Sequence, residues 1–366
     1  NHECCKTERN HMLINHIKLT ELVKQICIKA GTLEADAQQV ASLLIEANLK
    51  GHDSHGVQML PIYIFHAGQG GVNPQQHAIK VSEVGSNLIV DGGMGFGQVV
   101  GPEAIEMGIE NAAKNGVCVV ALKNSYHLGR IGGMGEQCAA RGLISMHYVN
   151  VVGHDPHVTP FGGTQPRFGT NPYCCAIPVT GSDPIVLDMA TSYIAHGKAR
   201  VAHHRGTKVP DGSLLDHKGM ETNDPTVLFE EPTGSLAHFG RHKGYGLALI
   251  CEILGGALCG AFTMQPGNER KMTIVNNMLT VILDPDQFAA KDILEKEIKA
   301  MLEYVKTSPP AEGTEEVLIA GEPERIAMKQ RSEEGIFVDD STWSQIESTA
   351  VHIGISEEEV KAMIAD

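Results

Sequence analysis

Five short segments of the 366-residue chain set glycine beside side chains able to move protons or hold ligands. They are Asp53-Ser54-His55-Gly56; Asn124-Ser125-Tyr126-His127-Leu128-Gly129-Arg130-Ile131-Gly132; Phe168-Gly169-Thr170-Asn171-Pro172; Leu187-Asp188-Met189-Ala190-Thr191-Ser192; and His242-Lys243-Gly244-Tyr245-Gly246. Histidine is the side chain best matched to proton transfer near neutral pH. His55 follows a helical pattern and precedes a glycine that lets a ligand or backbone approach closely. A capping or turn histidine is the plainer reading of that position. His127 lies in a glycine-rich loop after a strand-like run, and strand ends are where α/β proteins place ligands. Asp188 ends an apolar run, so burial obliges it to find a partner, either a histidine or a helix N-terminus. Ser54 stands next to His55 but lacks the G-x-S-x-G setting of a nucleophile elbow. Cys174 and Cys175 have apolar neighbours, Ala176, Ile177 and Pro178, which favour packing over reactivity.

Two common phosphate-binding devices are absent. No G-x-G-x-x-G and no G-x-x-x-x-G-K-[ST] occurs, which disfavours an ordinary Rossmann or P-loop protein. The pairs His52/His55, His154/His157 and His203/His204 suggest metal ligands. None has an H-E-x-x-H context or a companion cysteine set, so no metal is expected. A metal-dependent hydrolase built on those pairs is the alternative from another reaction class.

These groups need a scaffold, and the chain shows helical ends around an α/β centre. Val40, Ala41, Leu44, Ile45 and Asn48 recur at helical spacing, with Glu34 and Asp36 near the start and Gly51 past the end. Residues 81–90 and 117–122 are strand-like. Between them a helix is expected over 102–115, with Pro102 in its first turn and Gly116 as its C-terminal cap. Residues 143–150, 185–189 and 275–283 are further strand candidates. A helix over 292–305 gathers Ile293, Leu294, Ile298, Met301, Leu302 and Val305 on one face, before Pro309-Pro310 opens an acidic linker. Ser356-x-x-Glu359 spells a capping box. The apolar stretch 246–262 carries Glu252 near its centre, which predicts a buried helix rather than a membrane span.

Composition narrows the function classes. The net charge of −15 and the single Trp argue against nucleic acid and anionic membranes as partners. Glycine, at 40 residues, exceeds the usual share of about 7% and implies many special turns and close approaches. Nine cysteines without C-x-x-C, including the adjacent Cys4-Cys5, point to a reduced compartment. With no apolar signal core in residues 1–6, a cytoplasmic protein is expected.

Taken in order, the five segments resemble the malate/L-lactate dehydrogenase family unrelated to Rossmann enzymes, which also holds ureidoglycolate and sulfolactate dehydrogenases, diketogulonate reductase and piperideine-carboxylate reductases. The chain is most similar to the hydroxycarboxylate dehydrogenase B branch at Gly51-His52-Asp53-Ser54-His55-Gly56, at Phe96-Gly97-Gln98-Val99, and over Cys251 to Leu258. The resemblance implies a mixed α/β (α+β), non-Rossmann fold with a mixed or largely antiparallel central sheet. It also implies a discontinuous helical domain, 1–75 plus 300–366, and a cofactor- and substrate-binding α/β domain, 76–299. The implied reaction is NAD- or NADP-dependent interconversion of a small 2-hydroxy acid, of malate or lactate type, and its 2-keto acid by a homodimer. Cyclic imine reduction is the alternative within the same class.

Residue by residue, His55 with Ser54 matches the family's Ser-His-Gly motif and His127 its Asn-x-x-His histidine. Each histidine is treated as the acid/base in some member. Asp188 matches an aspartate that orients a catalytic histidine. The implied cofactor site includes His55, Gly129, Arg130 and Ile131, the segment Val186, Leu187, Asp188, Met189 and Ala190, and His242 and Asn276. The turn Gly321-Glu322-Pro323-Glu324 completes it. Where many relatives carry an arginine four positions after the Ser-His-Gly histidine, this chain has Met59, so either Arg130 or Arg167 grips the substrate carboxylate or the substrate itself differs.

Overall fold

Leu19, Leu22, Val23, Ile26 and Cys27 fall three and four residues apart, and the helix they imply, His16–Lys29, buries all five. Asn15 starts it, its side-chain oxygen accepting from the backbone N–H of Ile17 (2.9 Å) and Lys18 (3.3 Å). Against it packs Glu34–Leu49, with Val40, Ala41, Leu44 and Ile45 buried as their spacing requires. An antiparallel pair, Met12–Ile14 with Ile336–Val338, joins segments from the two ends of the chain. Helices Asp340–His352 and Glu357–Ile364 follow, the second opened by the Ser356/Glu359 capping box. These elements belong to one compact unit, Asn1–Phe65 with Glu324–Asp366, and His66–Pro323 forms the other. The structure, a computed structural model, describes residues 12–269 and 272–365, without the side chains of 204 and 205. The Cys4-Cys5 pair and the His204 side chain therefore lie outside the described residues.

The second unit is built on a seven-stranded sheet. Its order is Ile79–Val84, Asn87–Asp91, Val117–Ser125, Val275–Leu283, Ile144–Val152, Tyr173–Ile177 and Ile185–Met189. Within this sheet, among the described residues, Asn87–Asp91 and Val117–Ser125 pair in parallel and the other neighbours are antiparallel. This is the mixed, largely antiparallel and non-Rossmann sheet that was expected, since a Rossmann sheet is mostly parallel. Leu88, Val90, Val120, Leu122, Met278 and Ile282 share one core with Ile105 and Ile109 of the helix Gly97–Asn115. Met134 and Cys138 of the helix Gly132–Ala140 complete it. A small three-stranded sheet from Leu214–Leu215, Glu221–Thr222 and Ser235–Leu236 has a core of its own around Val158 and Phe168.

The structure corrects three details. Residues 81–90 are not one strand but part of a hairpin that turns at Gly85-Ser86, with Gly85 at φ +57°. Apolar residues continue on both sides of that two-residue turn, so periodicity alone conceals it. The helix expected from 102 begins at Gly97, which makes Pro102 its sixth residue. Burial of Phe96, Val99 and Val100 outweighs the one backbone bond that proline cannot donate. The stretch 246–262 is helical over His242–Cys251 and widens into a π turn over Glu252–Ala257. Ala248, Cys251 and Glu252 turn inward, but Leu249, Ile250, Ile253 and Leu258 are exposed, so it is not a buried helix throughout. Lys291–Lys306 forms where expected, yet none of its residues is buried and Ile293 and Met301 are exposed. Helical spacing gathers apolar side chains on one face without supplying a surface to cover them. Among the described residues no helix is long and apolar enough to cross a membrane.

Candidate functional site

The strand Val117–Ser125 delivers His127 through a short, heavily anchored loop. Asn124 takes a left-handed conformation (φ +54°), with its N–H on the Asn277 side-chain oxygen (2.8 Å) and its side-chain amide on the Asp91 carboxylate (3.1 and 3.2 Å). Tyr126 is fully buried, and its hydroxyl lies 2.8 Å from His66 Nδ1. Burial holds His66 below its usual pKa. Leu128 is buried in turn, its N–H donated to the Asn276 side-chain oxygen (2.8 Å). With Tyr126 and Leu128 both committed to the interior, His127 between them is left half-buried. On one side the backbone of Gly97 is pressed so closely against His127 and Leu128 that a Cβ there would lie 2.2 Å from the His127 carbonyl oxygen.

The loop then enters the helix Gly132–Ala140, and three ionisable groups gather at that entry. Asp188 Oδ2 accepts the N–H of Gly132 (2.7 Å), so the helix N-terminus is one partner that Asp188 takes. The Arg130 guanidinium crowds the same glycine and pairs with Glu136, its Nη1 at 3.2 Å. The Arg130 side chain is only 5% exposed. A guanidinium so placed braces the loop, and gripping a substrate carboxylate would require it to leave Glu136. Ile131 is buried as the residue preceding the helix, and Gly129, left-handed at φ +71°, is buried beside Gln98.

Other expected site residues fall into two groups within this unit. Val186 donates its N–H to the Ala320 carbonyl (3.1 Å), which brings the strand end 186–190 beside the turn at 321–323. Leu187 is exposed there, Met189 and Ala190 are half-buried, and Glu322 receives Lys306 Nζ (2.8 Å) and the Ile319 N–H (2.7 Å). By contrast, Asn276 is buried and its side chain is spent on Leu128, Asn150 and Val275, so it positions the His127 loop. His242, exposed at the start of its helix, meets the edge of Phe161. Arg167 is exposed and ties its guanidinium to Pro166 and Gln165. It borders a cleft of about 500 Å³ that Phe168, Leu249, Ile253 and Met264 line.

In the other unit, Asp53–His55 forms a single 3-10 turn after the helix Glu34–Leu49. Ser54 Oγ lies 3.1 Å from His55 Nδ1, and His52 Nε2 lies 3.1 Å from Glu324 Oε1. Glu324 thus faces His52 in this unit. Among the described residues no group of three or more His, Cys, Asp or Glu is arranged to hold a metal ion. His154 and His157 stack face to face at 4.8 Å, and His203 stacks on Phe229. Burial pushes the thiols of Cys27, Cys138, Cys251 and Cys259 up to about 12, and that of Cys174 well above its usual value, which disfavours the reactive thiolate at these five positions.

The sequence profile of the malate/L-lactate dehydrogenase family matches residues 14–347. The chain belongs to that family. It is 44% identical over 346 residues to hydroxycarboxylate dehydrogenase B of Escherichia coli, spanning 94% of this chain and 95% of that one. It is 37% identical over 347 residues to an L-lactate dehydrogenase of Cupriavidus necator, spanning 94% and 99%. The solved sulfolactate dehydrogenase of Methanocaldococcus jannaschii is similar with a TM-score of 0.83 at 32% identity, over 95% of this chain and 99% of that one. Membership makes the chain an oxidoreductase of the hydroxy acid dehydrogenase type.

Sequence reasoning did not find the partners of several buried polar groups. Glu252, only 4% exposed, accepts from the Asn171 side chain (2.7 Å) and the Met264 N–H (2.6 Å). Asn150 donates to the Phe262 carbonyl (2.9 Å) and accepts from Asn277 (2.8 Å), whose own oxygen holds Asn124. Two signals were available: a glutamate in the middle of an apolar stretch, and the pair Asn276-Asn277 inside an apolar strand. Each is a polar group that must be satisfied where it is buried.

Proposed function

We propose that the chain interconverts a small 2-hydroxy acid, of malate or lactate type, and its 2-keto acid with NAD or NADP as hydride carrier. One observation supports this above the others: His127 stands half-buried at a strand end, with its loop fixed by buried bonds on both sides. That is how a family of hydroxy acid dehydrogenases would hold a proton-transfer group. Oxidation of the hydroxyl carbon needs a base for the hydroxyl proton while hydride departs from the same carbon. A neutral imidazole can take that proton and return it in the reverse reaction. His127 and His55 are the two candidates, and the Ser54 hydroxyl stands beside Nδ1 of His55, where it can donate to the ring or accept from it.

The donor set suits a nicotinamide dinucleotide. Gly129, Arg130 and Ile131 lead into the helix whose first N–H meets Asp188, and Val186 ties the segment 186–190 to the turn at 321–323, so these stretches adjoin one another. When bound, the nicotinamide supplies the hydride acceptor. His242 is exposed beside Phe161 and open to a ligand, whereas Asn276 serves through the loop it anchors. The reading includes a homodimer, supported by the exposed apolar row Leu249, Ile250, Ile253 and Leu258, and a cytoplasmic setting, supported by the buried thiols.

The test is a panel of 2-hydroxy and 2-keto acids, with piperideine-2-carboxylate included, run with both cofactors and read at the nicotinamide absorbance. Turnover with malate or lactate is expected, and His127→Ala or His55→Ala should lower it about 10²–10⁴-fold if that residue transfers the proton. Full activity in either variant removes that histidine from the chemistry. Turnover of the cyclic imine alone would overturn the hydroxy acid assignment.

A further inference from the structure

The helix Glu322–Glu334 lies far in sequence from the Ser54-His55 turn, yet one face of it meets that turn. Glu324, Ala327 and Arg331 share this face, being spaced three and four residues apart. Glu324 Oε1 lies 3.1 Å from His52 Nε2. Ala327 Cβ is 3.6 Å from where a Cβ on Gly51 would stand. Arg331 donates twice to Asp53, Nη1 to Oδ1 at 2.7 Å and Nη2 to Oδ2 at 3.1 Å, and its Nη1 also reaches the Asn48 carbonyl. Asn48 closes the arrangement from within: its amide donates to Asp53 Oδ1 (2.8 Å) and its oxygen accepts the Val57 N–H (2.7 Å). Gly56 is fitted so tightly against that amide that a Cβ would fall 2.2 Å from Asn48 Oδ1. Every residue flanking Ser54-His55 is therefore tied, at 51, 52, 53, 56 and 57.

We infer that Arg331, acting through Asp53, is a positioning residue for His55. The inference rests on the proposed proton-transfer role of His55. Two features separate positioning from plain stability. The fork is bidentate, which fixes orientation as well as distance. It is also partly open to solvent, with the Asp53 side chain 49% and the Arg331 side chain 29% exposed, and pairs in that setting add little to global stability. Displacing a reacting group by about 1 Å, in contrast, can cost about 10²-fold in rate.

The experiment measures kcat, KM and melting temperature for the full chain and for R331A, R331K, D53N, H55A and the double variant H55A/R331A. R331A is expected to lower kcat about 10–100-fold with KM for the hydroxy acid within a few-fold and the melting temperature within a few degrees. R331K, which keeps the charge and loses the fork, should recover part of the loss, and D53N should match R331A. Because Arg331 acts through His55, R331A should cause no further loss on the H55A background. Wild-type kcat in both R331A and D53N would overturn the inference. So would a full multiplicative loss in the double variant, or a loss in R331K that simply follows a fall in melting temperature. Full activity of H55A would withdraw the role of His55 itself, an outcome told apart because the single variant shows it before any change at Arg331.

Discussion

Replacing Gly97 with alanine is the sharpest single perturbation that the His127 loop permits. A Cβ at that position would meet the His127 carbonyl oxygen at 2.2 Å, Leu128 Cα at 2.4 Å and the His127 carbonyl carbon at 2.5 Å. All three obstructing atoms are main chain, so no rotamer change relieves them. Carbon atoms prefer separations of about 3.5 Å or more, and the first helical turn and the loop must part by about 1 Å. Overpacking of this kind costs about 1–3 kcal/mol. Tyr126 and Leu128 are buried and cannot follow freely, so the displacement falls on the backbone of His127. A shift of about 1 Å at a proton-transfer group predicts a loss of about 10²-fold in kcat. The assay pairs steady-state turnover at the nicotinamide absorbance with thermal melting, where a fall of several degrees is expected. Gly68→Ala is the control, because nothing lies within 4 Å of a Cβ there. Wild-type kcat and melting temperature in Gly97→Ala would show that His127 does not depend on this contact, and so would an equal loss in both variants.

Two further predictions concern pH. Burial holds Glu252 above its usual carboxyl pKa, against the opposing N–H bonds of Met264, Asn171 and Asn150. The folded state therefore keeps that proton more tightly than the unfolded chain, and this group's contribution to stability falls as pH rises above the usual carboxyl range. Denaturant titrations from pH 4 to 8 should show that slope flattened in Glu252→Gln, and an unchanged slope would count against it. His157 behaves oppositely: burial first, then His154 and His196, lower it to about 3 from the usual 6.5. Its stabilising contribution is complete above about pH 6.5 and is lost as pH falls toward 3. His157→Phe, which keeps a ring in the stack, should lose less melting temperature between pH 7 and 5 than the wild type does, and parallel curves would contradict this.

Much of the framework was legible because it is local. Helical spacing placed Glu34–Leu49 and Lys291–Lys306, strand runs placed Ile185–Met189 and Val275–Leu283, and Gly116 marked a helix end. Each depends on neighbours a few residues away. The Gly97 start of the helix and the hairpin at Gly85 escaped because burial and strand pairing decide them. The candidate site divides in the same way. His55, His127 and Asp188 were visible as residue types in glycine-rich settings. Their partners were not: Asn276 holds Leu128 across 148 residues, Asp188 meets Gly132 across 56, and Arg331 meets Asp53 across 278.

From residue types alone follow the helical ends, the α/β centre and the absence of both common phosphate-binding motifs. The ordered glycine-bearing segments that mark the dehydrogenase family follow as well. These are properties of composition and short-range order, which side-chain chemistry and backbone preference dictate directly. Tertiary structure decided which of those groups became supports. It spent Asn276 on a loop, committed Arg130 to Glu136, turned Glu252 inward, and set Gly97 against His127. A buried polar group must be satisfied by whatever the fold brings within about 3 Å, and no spacing along the chain names that partner in advance.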